Sequence, residues 1–150
     1  FWLYDTPGML WPKIIVPQSG YNLAASGAVG RNALDEETVA LELIDYLRRD
    51  YLPQLQERYQ ADKNESSHWR DEQWLEWIGR RRGALLGGGR INYQKAAENT
   101  LTDFRDGHIG RITLETPNQW EQWLKAAQRR EAEQKAERER RKAERKGKAV

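Results

Sequence analysis

From Gln128 to Ala149 the chain contains no Val, Leu, Ile, Met, Phe, Tyr or Trp. A stretch of that length whose only apolar residue is alanine has no face to bury, so it cannot join a core. Any globular part must therefore be built from the residues up to Ala127. The same stretch holds ten Lys or Arg against five Glu, which leaves 15 basic and 18 acidic residues in the remainder. The formal net charge of +2 thus hides a basic tail behind a mildly acidic body. If helical from Pro117 to Lys146, the tail extends roughly 45 Å at about 1.5 Å per residue. Glu131 with Lys135 and Glu137 with Arg141 have favourable i,i+4 spacing, but a helix without an apolar face is marginal in water. Both a solvated helix and a disordered extension remain open, and either could order on a polyanion. A membrane-surface helix is disfavoured, because no apolar face accompanies the charge.

The body reads as mainly α. Asp35 is placed to cap a helix whose apolar face is Ala40, Leu43, Ile44, Leu47 and Tyr51, at 3.6-residue spacing. Pro53 punctuates it, and Leu52 to Tyr59 continues as a second helical piece. Gln60 to Ser67 reads as a polar loop. Asp71 to Arg82 forms the next helix, with Trp74, Leu75 and Ile78 inward and Gly83 as its stop. A glycine turn at 87–89 leads to Asn92, which caps a helix burying Ala97, Leu101 and Phe104 and ending at Gly107. Ile109 to Glu115 reads as extended. Thr116 and Gln119 have capping-box spacing with Pro117 at the first helical position, and the final helix presents Trp120, Trp123, Leu124 and Ala127. Of the pairs Trp74/Trp77 and Trp120/Trp123, one member each is expected in the core and the other at its edge. Near the N-terminus, Met9 to Gly20 reads as a Pro-rich loop, with room for one short helix between Tyr21 and Asn32.

Cysteine is absent, which removes disulfides, thiolate metal sites and a cysteine nucleophile. No apolar run reaches the roughly 18 residues of a membrane span, and Phe1 to Trp11 lacks the basic start of a signal peptide. The expected location is cytoplasmic, without a membrane partner. The chain opens with Phe1 inside an apolar run, which suggests a piece of a longer protein. His68 and His108 lie apart in polar loops without metal-ligand spacing. Gly83 to Gly88 has the glycine spacing of a phosphate loop, but Gly89 and Arg90 stand where Lys and Ser or Thr are required, so it reads as a helix stop and turn.

One motif carries more chemistry. Asp5-Thr6-Pro7-Gly8 follows the short strand Phe1 to Tyr4 directly. In nucleotide hydrolases a strand ends at the phosphates, its last Asp reaches the Mg²⁺ shell, and a Gly three residues on offers its N–H to the γ-phosphate. On these four residues alone the signal is weak and a plain β-turn is the favoured reading, with Pro7 placed to fix φ and Gly8 free to take positive φ.

Context favours the first reading. The run Tyr4 to Lys13 with Leu23 to Ala28, and the later blocks Ile78 to Gly83 and Asp103 to Glu115, resemble the ribosome biogenesis GTPase A (YlqF) family over roughly residues 1 to 116. The resemblance implies a circularly permuted GTPase, in which the guanine-specifying NKxD and the P-loop precede the DxxG strand. It implies that residues 1–33 are the end of the GTPase domain, 34–116 a helical rRNA-docking domain and 117–150 the charged tail. Asp5 would face Mg²⁺ through water, and Asp5, Thr6, Pro7 and Gly8 would meet GTP. The segment from Met9 to Lys13 would be the nucleotide-sensing switch. No catalytic residue is assigned, because Met9 stands where many GTPases place a water-orienting Gln, and a thioether cannot orient water. The implied activity is GTP hydrolysis by the complete protein during assembly of the large ribosomal subunit, with rRNA and ribosomal proteins as partners. The chain alone, lacking P-loop and NKxD, is expected to be inactive and to hold neither GTP nor Mg²⁺ tightly.

Six arginines form the expected RNA-binding set: Arg80, Arg81, Arg82, Arg90, Arg105 and Arg111. They lie beside glycine-rich backbone, where guanidinium groups suit phosphates and can stack on bases. Basic residues at a helix C-terminus also complement its dipole, which is the plainer explanation for the first three. The alternative for the whole chain is a non-enzymatic helical RNA-binding or scaffold module in which Asp5 to Gly8 is only a turn.

Overall fold

A computed structural model describes residues 14–30 and 34–147, with side chains as far as Glu144. Seven α-helices occur among the described residues: α1 (Pro17–Ser26), α2 (Glu36–Asp50), α3 (Leu52–Tyr59), α4 (Lys63–Ser66), α5 (Asp71–Arg81), α6 (Tyr93–Arg105) and α7 (Pro117–Gly147). The chain is mainly α, as its periodicity predicts. The strand expected at Phe1 to Tyr4 lies outside the described residues.

The described residues of Gly20–Leu114 form one compact unit. Its centre is the meeting of α2, α5 and α6. Val39, Ala40, Leu43, Ile44 and Leu47 come from α2, Trp74, Leu75 and Ile78 from α5, and Ala96, Ala97 and Leu101 from α6, all buried in one cluster. Each large apolar side chain so buried contributes about 1.5–3 kcal/mol. The approach of α5 to α6 is close enough to require glycine: a Cβ on Gly79 would stand 3.0 Å from Ile91 Cγ2 and 3.2 Å from Ala96 Cβ. Trp74 is fully buried, Trp77 half-buried, and Trp69 packs against both at 5.2 Å between ring centroids.

The caps explain where the helices start. Asp35 accepts from the Thr38 N–H at 2.9 Å and Asn92 from the Lys95 N–H at 3.0 Å, each satisfying an orphan donor of the first turn. Gln60–Ser67 differs from the expected plain loop. Asp62 accepts from the N–H groups of Asn64 and Glu65, both at 2.9 Å, and buried Gln56 donates to Ser66 Oγ at 3.0 Å, so one helical turn is pinned there. At the N-terminus, α1 begins at Pro17, inside the expected loop, because proline is pre-set for the first helical position. Ile109–Glu115 runs without regular structure but is anchored: Tyr46 donates to the Thr113 carbonyl, and the Thr113 N–H donates to the Tyr51 hydroxyl at 3.1 Å. Burial, with the nearby Tyr51 and Asp50, pushes the Tyr46 hydroxyl up to about 12.

The second unit comprises the described residues of Trp11–Ser19 with Glu115–Val150. The Thr116 N–H donates to Gln119 Oε1 at 2.9 Å and the Gln119 N–H to Thr116 Oγ1 at 3.3 Å, the reciprocal capping box that the sequence predicts. Along α7, Ala127 is buried, Trp123 and Leu124 are half-buried and Trp120 is exposed; from Gln128 to Glu144 every residue is exposed.

Candidate nucleic-acid interface

The last turns of α3 and α6 and the residue after α5 meet at one carboxylate. Asp103, on the buried face of α6, is fully excluded from solvent. Arg58 grips it with both arms of its guanidinium, Nη2 to Oδ1 at 2.9 Å and Nε to Oδ2 at 3.3 Å. The Tyr59 hydroxyl donates to Oδ2 at 3.0 Å, Arg82 Nη2 lies 3.2 Å from Oδ1, and His108 Nδ1 lies 3.4 Å from the same oxygen. Burial alone would raise the Asp103 pKa, but hydrogen bonds from Arg58 and Tyr59 and the charges of Arg58 and Arg82 outweigh it and hold the carboxyl below its usual range. Burial, reinforced by the Asp103 charge, pushes the Tyr59 hydroxyl up. Asp103 therefore stays ionised and clamps two arginines at the converging helix ends, where their charge also opposes the exposed carbonyl dipoles.

The six arginines expected to bind RNA do not form one group. Arg80 pairs with Glu76 at 2.8 Å, Arg81 donates to the side-chain carbonyl of Gln60, and Arg82 binds Asp103. Arg105 turns to α1 and donates to the carbonyls of Ala24 and Ala25, both at 2.9 Å, which closes the C-terminal end of that helix. Arg90 and Arg111 are exposed and have no side-chain partner among the described residues. Each stands beside glycines at positive φ: Gly88 and Gly89 precede Arg90, and Gly110, at φ 116°, precedes Arg111. Asp5, Thr6, Pro7, Gly8 and Met9 lie outside the described residues. Among the described residues no cluster of His, Asp and Glu has metal-binding geometry, and no helix is long and apolar enough to cross a membrane.

Comparison with known proteins bears on what these residues serve. No protein-family model matches the chain. It is 38% identical over 122 residues to the ribosome biogenesis GTPase A of Priestia megaterium, a match that covers 81% of this chain and 41% of the relative. It is 36% identical over 118 residues to the Bacillus cereus protein of the same name, covering 79% and 39%. A mitochondrial ribosome-associated GTPase 1 of Mus musculus is 31% identical over 128 residues, covering 75% and 37%. The chain belongs to the ribosome biogenesis GTPase A family. It spans about two fifths of the length of these curated relatives.

In this member of the ribosome biogenesis GTPase A family, sequence reasoning overlooked Arg58, Tyr59 and the role of Asp103. A signal was present. Ala96, Thr100 and Asp103 recur at i, i+4 and i+7 on the buried stripe of α6. A carboxylate on such a stripe demands cationic partners, although the spacing cannot say which.

Proposed function

We propose that this chain supplies the rRNA-docking helical part of a GTP-hydrolysing assembly factor for the large ribosomal subunit. Membership of a family named for ribosome biogenesis GTPases supports the reading at the level of the whole protein. In that reading Asp5 to Gly8 is the Mg²⁺ and γ-phosphate element, and GTP and Mg²⁺ serve the complete protein in the cytoplasm. The geometric support comes from the helical unit. Arg90 and Arg111 stand exposed beside glycine turns without side-chain partners among the described residues, while Arg82 and Arg105 are engaged within the fold. An arginine that stabilises nothing inside the protein is free to meet a phosphate, and neighbouring glycines let the backbone come close.

The test separates binding from folding. Arg90→Ala with Arg111→Ala disturbs no side-chain hydrogen bond or ion pair among the described residues, so the melting temperature should stay within about 1–2 °C, as for surface substitutions generally. Binding of the full chain to large subunits is then measured by sedimentation across a salt series. We expect weaker binding and a log K against log salt slope shallower by roughly one for each phosphate no longer neutralised. An unchanged slope would refute the assignment of these two residues.

A further inference from the structure

The exposed part of α7 is not uniformly mixed in charge. At 3.6 residues per turn, Arg130, Lys135, Arg138, Arg141 and Lys142 fall within a sector of about 140°, shared with one acidic residue, Glu131. From Gln128 to Glu144 the rest of the circumference carries Glu133, Glu137, Glu139 and Glu144 with Arg129 and Arg140 as its basic residues, and the alanines 132, 136 and 143 lie among them. Every one of these side chains is exposed. The ion pair Glu137–Arg141, at 2.6 Å, sits on the border between the two faces.

Two features of this stripe point outward. Arg138 and Lys142 are i,i+4 neighbours, and Arg138 stands at i,i+3 from both Lys135 and Arg141, so like charges adjoin where opposite ones would have stabilised the helix. The arrangement weakens an isolated helix and is relieved by an external polyanion. The stripe also carries no aromatic side chain on which an unpaired base could stack. No apolar residue other than alanine occurs from Gln128 to Gly147, which removes the buried face that a membrane-surface helix requires.

We infer that this face of α7 is a docking surface for the phosphate backbone of double-helical RNA, read without base sequence. From Arg130 to Lys142 the stripe extends about 18 Å along the axis, at about 1.5 Å per residue. It lies along the phosphates, because the deep major groove of A-form RNA is too narrow to admit a helix. The inference concerns α7 alone and does not depend on the roles of Arg90 and Arg111.

Two charge-matched variants of the full chain test it. Arg138→Gln with Lys142→Gln removes two charges from the stripe, and Arg129→Gln with Arg140→Gln removes two from the other face. Binding to a blunt RNA duplex of about 20 base pairs, a little longer than the roughly 16 that a double-stranded-RNA-binding domain spans, is followed by fluorescence anisotropy over a salt series. The stripe variant should lose about tenfold in affinity, with a slope shallower by roughly two, and the control variant should stay within about twofold. By circular dichroism the stripe variant should keep or gain helix, because a repulsion has been removed. Arg138→Lys with Lys142→Arg should bind as the parent chain does. Equal losses in both charge-removing variants would show that only net charge matters and overturn the inference. So would loss of binding in the charge-retaining variant, or tighter binding to poly(U) or to phosphatidylglycerol vesicles than to the duplex.

Discussion

The unit Gly20–Leu114 and the exposed length of α7 use the same residue type for opposite purposes. In the first, Arg48 binds Asp71 at 2.6 Å and the Trp69 carbonyl at 2.7 Å, Arg58 and Arg82 hold Asp103, and Arg105 closes the end of α1. From Arg129 to Lys142 the basic residues of α7 stand in water, and an ion pair such as Glu137–Arg141 has both partners largely exposed. An arginine with a buried partner is part of the fold, whereas an exposed one keeps its charge available for a ligand. Arginine density along the sequence therefore does not locate a binding surface; the state of each partner does.

The comparison is broken most severely by removing the buried carboxylate. Asp103→Ala leaves Arg58 and Arg82 without their anion and Tyr59 without its acceptor. It should cost about 3–5 kcal/mol of stability, measured by urea denaturation of the full chain. A loss below about 1 kcal/mol would mean that the cluster behaves like a surface ion pair. The pH dependence has a definite sign. Because the folded-state pKa of Asp103 lies below its unfolded value, its contribution is present above about pH 4 and declines as pH falls through the unfolded and then the folded value. The Ala variant should lack that component of the acid transition, while the parent chain shows it.

Such long-range partners are what the sequence could not reveal. Asp35, Asn92 and Thr116 were legible because capping is decided within four residues, and the buried faces of α2, α5 and α6 were legible because 3.6-residue periodicity is local. The single turn at 63–66 depends on buried Gln56 meeting Ser66, and the Asp103 cluster joins residues 45 and 21 positions apart, so neither leaves a periodic trace. The candidate RNA contacts show the same division. Glycine and arginine neighbours marked six positions, but only the fold distinguishes exposed Arg90 and Arg111 from Arg105, which is bound to main-chain carbonyls.

A smaller effect sharpens the packing side of the comparison. Gly79→Ala gains up to about 1 kcal/mol of helix propensity in α5. It also forces a methyl group against Ile91 and against the Cβ of Ala96, which belongs to α6 and cannot yield without moving that helix. Overpacking costs about 1–3 kcal/mol, so the net change should be a loss of about 1 kcal/mol in thermal unfolding. A stabilised variant would show that α5 and α6 are free to separate slightly.

The smallest effect belongs to α7. Glu137→Gln removes the pair with Arg141 and should lower the stability of that helix by only about 0.2–0.5 kcal/mol, seen as a slight loss of helical dichroism at low salt. At about 1 M salt the Debye length is near 3 Å, so parent and variant should converge. The Arg58–Asp103 pair has one partner fully buried and is screened much less, so the cost of Asp103→Ala should persist at the same salt. If the two ion pairs responded alike to salt, burial would not be what separates arginines that build the fold from arginines that await a ligand.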